Sequence, residues 1–324
     1  MKCLIIDAVH SAIAEELGKY MQVDTHMLPT QEELVKLIPD YDVLIMRVDP
    51  KITKEIIDAA ANLKVIGVCS VGLNHVDMDA CKAKGVQVFN APGLNANAVA
   101  ELTFSKMLDL SRHTIPANYD VKVNKTWDKY KFVGRELRGK TLGILGFGRI
   151  GQRVGELGRA FKMNIVAYDP YLPAHVFEEQ QATSMSIDEV LKTADYVTIH
   201  MPLTPETKDL FNAKSISEMK DDAVVLNMSR GGIVNEKDLV AALKAGVIAG
   251  AGTDVYCNEP PKPDDPLLNC PNLIASPHSA AQTREAVVKM AQMCVKGCIA
   301  VCSGEKWPYV ADKSVYEHSI WKDR

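Results

Sequence analysis

A glycine pattern near the middle of the chain, Gly146-Phe147-Gly148-Arg149-Ile150-Gly151, most restricts what this sequence can fold into. The apolar run at residues 141–145 predicts a buried parallel strand, and residues 149–161 predict a helix. The glycines therefore lie on a strand-to-helix turn. The first glycine would allow the tight turn, the second would let the backbone approach a pyrophosphate, and the third would let the helix pack closely on the strand. The helix N-terminus favours an anion there, because its N–H groups are free.

An acidic residue follows the next predicted strand. The apolar run at residues 164–168 ends at Asp169, where a carboxylate can accept hydrogen bonds from the ribose hydroxyls of a dinucleotide. A carboxylate at that point repels the additional phosphate of NADP. The glycine pattern, its flanking strand and helix, and this acid together predict NAD as the cofactor.

Predicted strands and helices alternate along the whole chain, which indicates an α/β protein with two doubly wound parallel-sheet domains. Strands are predicted at residues 3–6, 43–46, 65–68 and 86–89, and then at 141–145, 165–168, 196–200, 224–228, 248–253 and 273–276. The last six suit a Rossmann domain, which we place at residues 97–284. Because a long helical pattern at residues 283–301 has only a short polar segment after it, we expect that helix to return to the first domain. The first domain, predicted to be flavodoxin-like, would then be discontinuous, with residues 1–96 and 285–324.

The charge of the chain and its first apolar run argue against a nucleic-acid binder and against a secreted or membrane protein. The chain has 324 residues and a formal net charge of −4, which argues against a dedicated nucleic-acid binder. Residues 122–140 are locally basic, and we interpret them as a solvated arm or a contact surface. The first apolar run is too short for a signal-peptide core or a membrane span, so we expect a cytoplasmic protein without a membrane segment.

Eight cysteines lack both a CxxC pair and a zinc-ligand spacing, so we expect reduced thiols and no metal site. Cys294, Cys298 and Cys302 are four residues apart and would share one face of a helix. A small apolar stripe against the core explains this spacing more simply than metal binding does.

Four polar residues follow predicted strands, where open α/β sheets bind their ligands. They are Arg230, Asp254, Glu259 and His278. Taken alone, His278 fits a structural or surface histidine better than a catalytic one, and Arg230 and Glu259 fit solvated charges better than catalytic groups.

Several motifs together resemble the D-isomer-specific 2-hydroxyacid dehydrogenase family. In chain order, and beside the glycine pattern, they are Val71-Gly72-Leu73-Asn74-His75-Val76-Asp77, Phe89-Asn90-Ala91-Pro92, His200-Met201-Pro202-Leu203-Thr204, Ser229-Arg230-Gly231, Asp254-Val255-Tyr256-Cys257-Asn258-Glu259-Pro260 and Ser276-Pro277-His278. They span most of the chain.

The resemblance implies an NAD-dependent oxidoreductase that interconverts a 2-oxo acid and an (R)-2-hydroxy acid. His278 would be the acid and base of the reaction, and Glu259 would hold its ring through the other nitrogen. Arg230 would bind the substrate carboxylate, a task that suits a planar guanidinium.

The resemblance also implies contacts with cofactor and substrate. The first domain would be the catalytic, substrate-binding domain, in which the backbone of Val71 and Gly72 would bind the carboxylate and Asn95 would lie near the substrate. On the cofactor side, Asp254 would bind the nicotinamide carboxamide, and His200 and Pro202 would line the cofactor edge, beside the glycine pattern with Arg149 and Ile150.

One departure from the family bears on the substrate. Relatives often have Arg-Ser-x-Thr after the third predicted strand of the first domain, whereas this chain has Arg47-Val48-Asp49-Pro50. Arg47 could meet a phosphate or a second carboxylate, but Asp49 places an opposing charge nearby. This pattern weakens a phosphoglycerate assignment without excluding it.

Two other functions are compatible with parts of the pattern. Relatives that resemble C-terminal-binding corepressors use the same fold as an NADH-responsive scaffold for protein partners, although this chain lacks the long polar extensions expected for that role. Formate dehydrogenase is disfavoured, because that branch has Gln at the position of Glu259. The family resemblance further implies a homodimer, with contacts from about residue 97 to residue 138.

Overall fold

The structure is a computed structural model and describes residues 1–322. Its strands are β1 Lys2–Ile5, β2 Gln22–Thr25, β3 Val43–Met46, β4 Val65–Val68, β5 Gln87–Phe89, β6 Thr141–Leu145, β7 Asn164–Tyr168, β8 Thr183–Ser184, β9 Tyr196–Ile199, β10 Val224–Asn227, β11 Gly250–Thr253 and β12 Leu273–Ala275. Its α-helices are α1 Ala12–Leu17, α2 Gln31–Leu37, α3 Lys54–Ala59, α4 Met78–Lys84, α5 Ala96–Arg112, α6 Thr114–Tyr119, α7 Arg149–Ala160, α8 Ala174–Glu179, α9 Ile187–Thr193, α10 Ala213–Ser217, α11 Glu236–Ala245, α12 Arg284–Cys302 and α13 Ser319–Lys322.

The chain divides into two compact units, one discontinuous. Unit 1 contains residues 1–95 and the segment from residue 283 onward, and unit 2 contains residues 96–282. Each unit has its own parallel sheet with helices beside it, so the prediction of a two-sheet α/β protein is confirmed.

The sheet of unit 1 has the strand order β2-β1-β3-β4-β5, and every pair is parallel. This is the flavodoxin-like order, and it places the ends of β1 and β3 side by side. Strands β3 and β4 are buried throughout, as expected for parallel strands covered on both faces.

The sheet of unit 2 has seven parallel strands in the order β12-β11-β10-β9-β6-β7-β8. The order reverses between β6 and β9, which is the position where a Rossmann sheet binds its dinucleotide. Strand β6 leads directly to the glycine pattern, so that pattern lies at this switch point.

Two strands were not predicted from the sequence. Strand β2 is an edge strand with an exposed or half-buried side chain at every position, and β8 has only two residues. Neither carries an apolar run, because the side chains of both strands are exposed or half-buried.

The cysteines of helix α12 pack in the core of unit 1. Cys294 and Cys298 are buried with Cys3 and Cys69, and Cys302 packs against the same cluster. Burial raises the pKa of the Cys298 thiol, so it behaves as a small apolar side chain. Within residues 1–322, no three His, Cys, Asp or Glu side chains are grouped to hold a metal ion. Nor does any helix in that range combine the length and the apolar character that crossing a bilayer requires.

Candidate active site and cofactor-binding turn

The glycine turn is closely packed at two positions and open at the third. Gly146 has a φ of +89°, and a Cβ there would lie 2.7 Å from the backbone carbon of His200. A Cβ on Gly151 would lie 2.2 Å from the carbonyl oxygen of Gly146. A Cβ on Gly148 would meet no protein atom within 4 Å. The open side of Gly148, at the N-terminus of α7, fits the approach of a pyrophosphate.

Arg149 and Ile150 are the first residues of helix α7. Arg149 is exposed, whereas Ile150 is half-buried and packs against the core of unit 2. The two residues therefore point into different environments, and only Arg149 has its side chain in solvent.

Asp169 connects the end of β7 to the glycine turn. One carboxylate oxygen accepts a hydrogen bond from the backbone N–H of Phe147 at 2.9 Å, and the other accepts from the N–H of Tyr171 at 3.0 Å. The acid is thus held at the edge of the turn, in the place where the ribose of a dinucleotide is expected.

His200 follows β9, and its backbone packs against Gly146 of the glycine turn. Its Nε2 lies 2.8 Å from the Thr198 hydroxyl, and its Nδ1 is buried without a hydrogen-bond partner. Burial lowers the pKa of His200 to about 3, so the ring is neutral near pH 7. A neutral, half-buried ring whose Nδ1 is fully buried fits a place at the cofactor edge rather than a role in proton transfer. Pro202 is exposed, and its carbonyl accepts a hydrogen bond from Thr207.

Arg230 lies on a turn that Asn227 shapes. The Asn227 amide donates to the Arg230 carbonyl at 3.0 Å, and its oxygen accepts from the N–H of Ser229. The Arg230 guanidinium donates to the Ser229 carbonyl through Nη1, which leaves its other N–H groups for a ligand. A Cβ on the next residue, Gly231, would lie 1.8 Å from the carbonyl oxygen of Tyr256. The turn that carries Arg230 therefore packs closely on the segment that leads to Glu259.

Glu259 and His278 form a direct pair. His278 Nδ1 lies 2.6 Å from Glu259 Oε2, and the other carboxylate oxygen accepts from the N–H of Tyr256 at 3.0 Å. The side chains are 48% and 37% exposed, so His278 Nε2 can reach a ligand. His278 has a φ of +49°, in a region that residues other than glycine rarely adopt.

Asp254 holds the segment that carries His278. Its buried carboxylate accepts from the Ser276 hydroxyl and, at 2.9 Å each, from the N–H groups of Ser279 and Ala280. These contacts fix the backbone on both sides of His278. The contact with a nicotinamide carboxamide that the family resemblance implies for Asp254 stays a prediction.

The expected substrate residues other than Arg230 lie in unit 1, after its strands. Arg47 follows β3, and Val71 and Gly72 follow β4, all three half-buried. Asn95 is buried, and its Oδ1 lacks a hydrogen-bond partner. A buried polar atom without a partner is a candidate to bind a ligand or an ordered water.

The sequence reasoning missed several residues that support these segments. Asp7 follows β1 and binds the backbone after β3, and Lys106 of α5 donates to the Ile274 carbonyl at 3.2 Å. Tyr256 donates its hydroxyl to the Ser276 carbonyl. Asp7 follows a predicted strand, so the expectation that functional polar residues follow strands applies to it. Lys106 carries no such signal, because it occurs inside a mostly apolar helix.

Comparison with known proteins identifies the family. Residues 104–280, more than half of the chain, match the family model described as D-isomer specific 2-hydroxyacid dehydrogenase, NAD binding domain. The D-3-phosphoglycerate dehydrogenase of Methanocaldococcus jannaschii is 43% identical over 290 residues, which cover 88% of this chain and 54% of that protein. The hydroxypyruvate reductase of Thermotoga maritima is 40% identical over 258 residues, which cover 79% of this chain and 83% of that protein.

A solved structure is similar over almost the whole chain. The D-lactate dehydrogenase of Aquifex aeolicus, complexed with NAD and lactic acid, has a TM-score of 0.82 and is 29% identical, covering 94% of this chain and 96% of that one. The chain spans about half the length of the phosphoglycerate dehydrogenases that it matches. The expected family and cofactor are confirmed: the chain belongs to the D-isomer specific 2-hydroxyacid dehydrogenase family, and residues 104–280 match its NAD-binding domain.

Proposed function

We propose that this protein is an NAD-dependent oxidoreductase that interconverts a 2-oxo acid and an (R)-2-hydroxy acid. The observation that carries the proposal is the 2.6 Å contact between His278 Nδ1 and Glu259 Oε2, in a unit whose glycine turn is open to a pyrophosphate at Gly148. A histidine whose one nitrogen is held by a carboxylate presents its other nitrogen for proton transfer.

The chemistry divides between cofactor and protein. When bound at the glycine turn of residues 146–151, NADH would supply the hydride for C2 of the oxo acid. His278 would donate a proton from Nε2 to the former carbonyl oxygen and recover one in the reverse direction. Glu259 would keep the ring oriented, and Arg230 would bind the substrate carboxylate through two parallel hydrogen bonds.

We propose that unit 1 binds the substrate. The backbone of Val71 and Gly72 and the side chain of Asn95 would contact the acid, and Arg47 would contact its distal group. Relatives named phosphoglycerate dehydrogenase and hydroxypyruvate reductase both match this chain at about 40% identity. Because the Asp49 carboxylate would repel a phosphate, we propose an unphosphorylated 2-oxo acid as the better substrate.

The proposal is tested with a panel of 2-oxo acids and NADH, followed at the absorbance of NADH. The panel contains pyruvate, hydroxypyruvate, phenylpyruvate, and branched-chain, dicarboxylic and phosphorylated 2-oxo acids. His278→Ala should abolish turnover while leaving NADH affinity nearly unchanged, and His175→Ala, an exposed histidine of α8, is the matched control. If NADH binds and no oxo acid turns over, the enzyme assignment is wrong and a scaffold function gains support.

We propose that the protein is a homodimer with contacts within residues 97–138 of unit 2, and that residues 115–133, which overlap the basic arm of residues 122–140, contribute to them. The arm exposes Trp127, Tyr130 and Val133 by 85%, 75% and 76%. Internal hydrogen bonds stabilise this segment, because Asp120 accepts from Asn124 and Lys131. Exposed apolar side chains on an ordered segment are typical of an interface. Multi-angle light scattering tests this proposal, and a monomer at micromolar concentration would contradict it.

A further inference from the structure

Asp7 lies at the end of β1 with its carboxylate turned toward the segment that follows β3. Asp7 Oδ2 accepts hydrogen bonds from three consecutive backbone N–H groups, those of Arg47 at 3.0 Å, Val48 at 2.6 Å and Asp49 at 3.0 Å. Its Oδ1 accepts from the N–H of Ala8. Only 9% of the residue is exposed.

Three successive N–H groups that converge on one oxygen form an anion-binding nest. In many proteins such a nest holds an anion from solution, whereas here the chain provides the anion itself. Hydrogen bonds to an ionised acceptor are stronger than neutral ones, so the carboxylate defines the path of residues 47–49.

The same network continues to the segment after β4. The Ser70 hydroxyl donates to the Arg47 carbonyl at 2.8 Å and lies 3.3 Å from the Gly72 carbonyl. The Asn90 amide, after β5, donates to the Val71 carbonyl. A continuous series of hydrogen bonds thus runs along the carboxyl edge of the unit 1 sheet, from β1 to β5.

We propose that Asp7 is a positioning residue for substrate binding, which acts by holding residues 47–49 and, through Ser70, Val71 and Gly72. The inference rests on the proposed function, because it uses the substrate contacts proposed for Arg47, Val71 and Gly72. The proposed contacts would form in the ground state as well as in the transition state. Loss of Asp7 should therefore raise KM for the oxo acid more than it lowers kcat.

The test replaces the Asp7 carboxylate with an anion from solution. Asp7→Gly removes the carboxylate and leaves room for formate among the three N–H groups. We expect KM for the best oxo acid of the panel to rise roughly tenfold or more, because several charge-assisted hydrogen bonds are lost. NADH affinity should not change, since the glycine turn belongs to unit 2. Sodium formate should restore KM at least in part, and sodium chloride at equal ionic strength should not.

Two further variants separate positioning from general stability. Asp7→Asn keeps the shape of the side chain and loses its charge, so KM should rise and formate should have no effect because the space is filled. Asp42→Asn is the matched control: its carboxylate accepts from the Lys2 N–H and from Lys64 at the opposite, amino end of β1 and β3. That variant should keep the wild-type KM even where its unfolding temperature falls.

The outcomes are distinct. An unchanged KM in Asp7→Gly, or in Asp7→Asn if the glycine variant does not fold, overturns the positioning role while wild-type turnover leaves the proposed function intact. A formate effect on the unfolding temperature of Asp7→Gly without any effect on its KM also overturns it. If wild-type protein turns over no oxo acid, the proposed function fails, and this inference fails with it.

Discussion

Glu259 Oε2 lies 2.6 Å from His278 Nδ1, although the two residues are on separate segments that follow β11 and β12. Tyr256 fixes the other oxygen of the carboxylate through its backbone N–H, and Asp254 holds the backbone beside His278. The ring is thus oriented by contacts from two segments of unit 2.

Glu259→Gln should lower kcat/KM by about a hundredfold or more, because an amide cannot stabilise the imidazolium that forms during proton transfer. NADH affinity, measured by fluorescence, should remain at the wild-type value. Asp264→Asn, an exposed carboxylate of the same loop, is the matched control and should be close to wild type. Turnover near the wild-type rate in Glu259→Gln would show that the carboxylate is not needed to orient the ring.

Gly148→Ala should weaken NADH binding by roughly tenfold or more while changing the free energy of unfolding by no more than about 1 kcal/mol. The new Cβ meets no protein atom within 4 Å, so any loss arises where the pyrophosphate would lie. Gly155→Ala, on the same helix, places its Cβ 3.4 Å from Phe147 and should bind NADH normally. Isothermal titration and urea unfolding measure the two quantities. Unchanged binding in Gly148→Ala would mean that the cofactor does not approach this glycine.

Asp169→Asn should reduce NADH affinity by roughly tenfold and narrow the preference for NADH over NADPH, since the substitution removes the charge that opposes the additional phosphate. The amide oxygen can still accept from the Phe147 N–H, so the turn should persist. Glu178→Gln on α8 serves as a control for a change of net charge. Equal rates with NADH and NADPH in the wild-type protein would refute the role assigned to Asp169.

His200 should make the protein less stable as the pH falls below 6.5. Burial lowers the pKa of this ring from 6.5 to about 3, so between these values the unfolded chain binds a proton that the folded chain does not. The contribution of His200 to the free energy of unfolding is therefore fully present above pH 6.5 and is lost as the pH falls toward 3. Between pH 7 and pH 5 this group should contribute a loss of about 2 kcal/mol.

Urea unfolding at the two pH values measures that loss. His200→Gln should remove this part of the pH dependence, and the exposed His175→Gln should retain it. An identical dependence in wild type and His200→Gln would show that the ring is not buried in the neutral form.

Much of the fold could be predicted from the sequence, because the signals are local. Buried parallel strands such as β3 and β4 are continuous apolar runs, and the strand-to-helix turn at Gly146 is encoded by glycines within six residues. Strand β2 escaped prediction, since its side chains are exposed or half-buried at every position and form no apolar run.

The candidate site was predictable where residues follow strands or match a family motif, as at Arg230, Glu259 and His278. Their contacts were not predictable in the same way. That Asp254 would bind the segment around His278, and that Lys106 would reach the carbonyl of Ile274, depends on which elements become neighbours.

The sequence by itself determined the succession of strands and helices, the glycine turn and the family, because each depends on residues close together in the chain or on motifs in a set order. The tertiary structure alone decided that Asp7 binds residues 47–49, about 40 positions away, and that Glu259 meets His278. The physical reason is the strand order: β1 lies beside β3 and β11 beside β12, so the segments that leave these strands end at the same edge of a sheet.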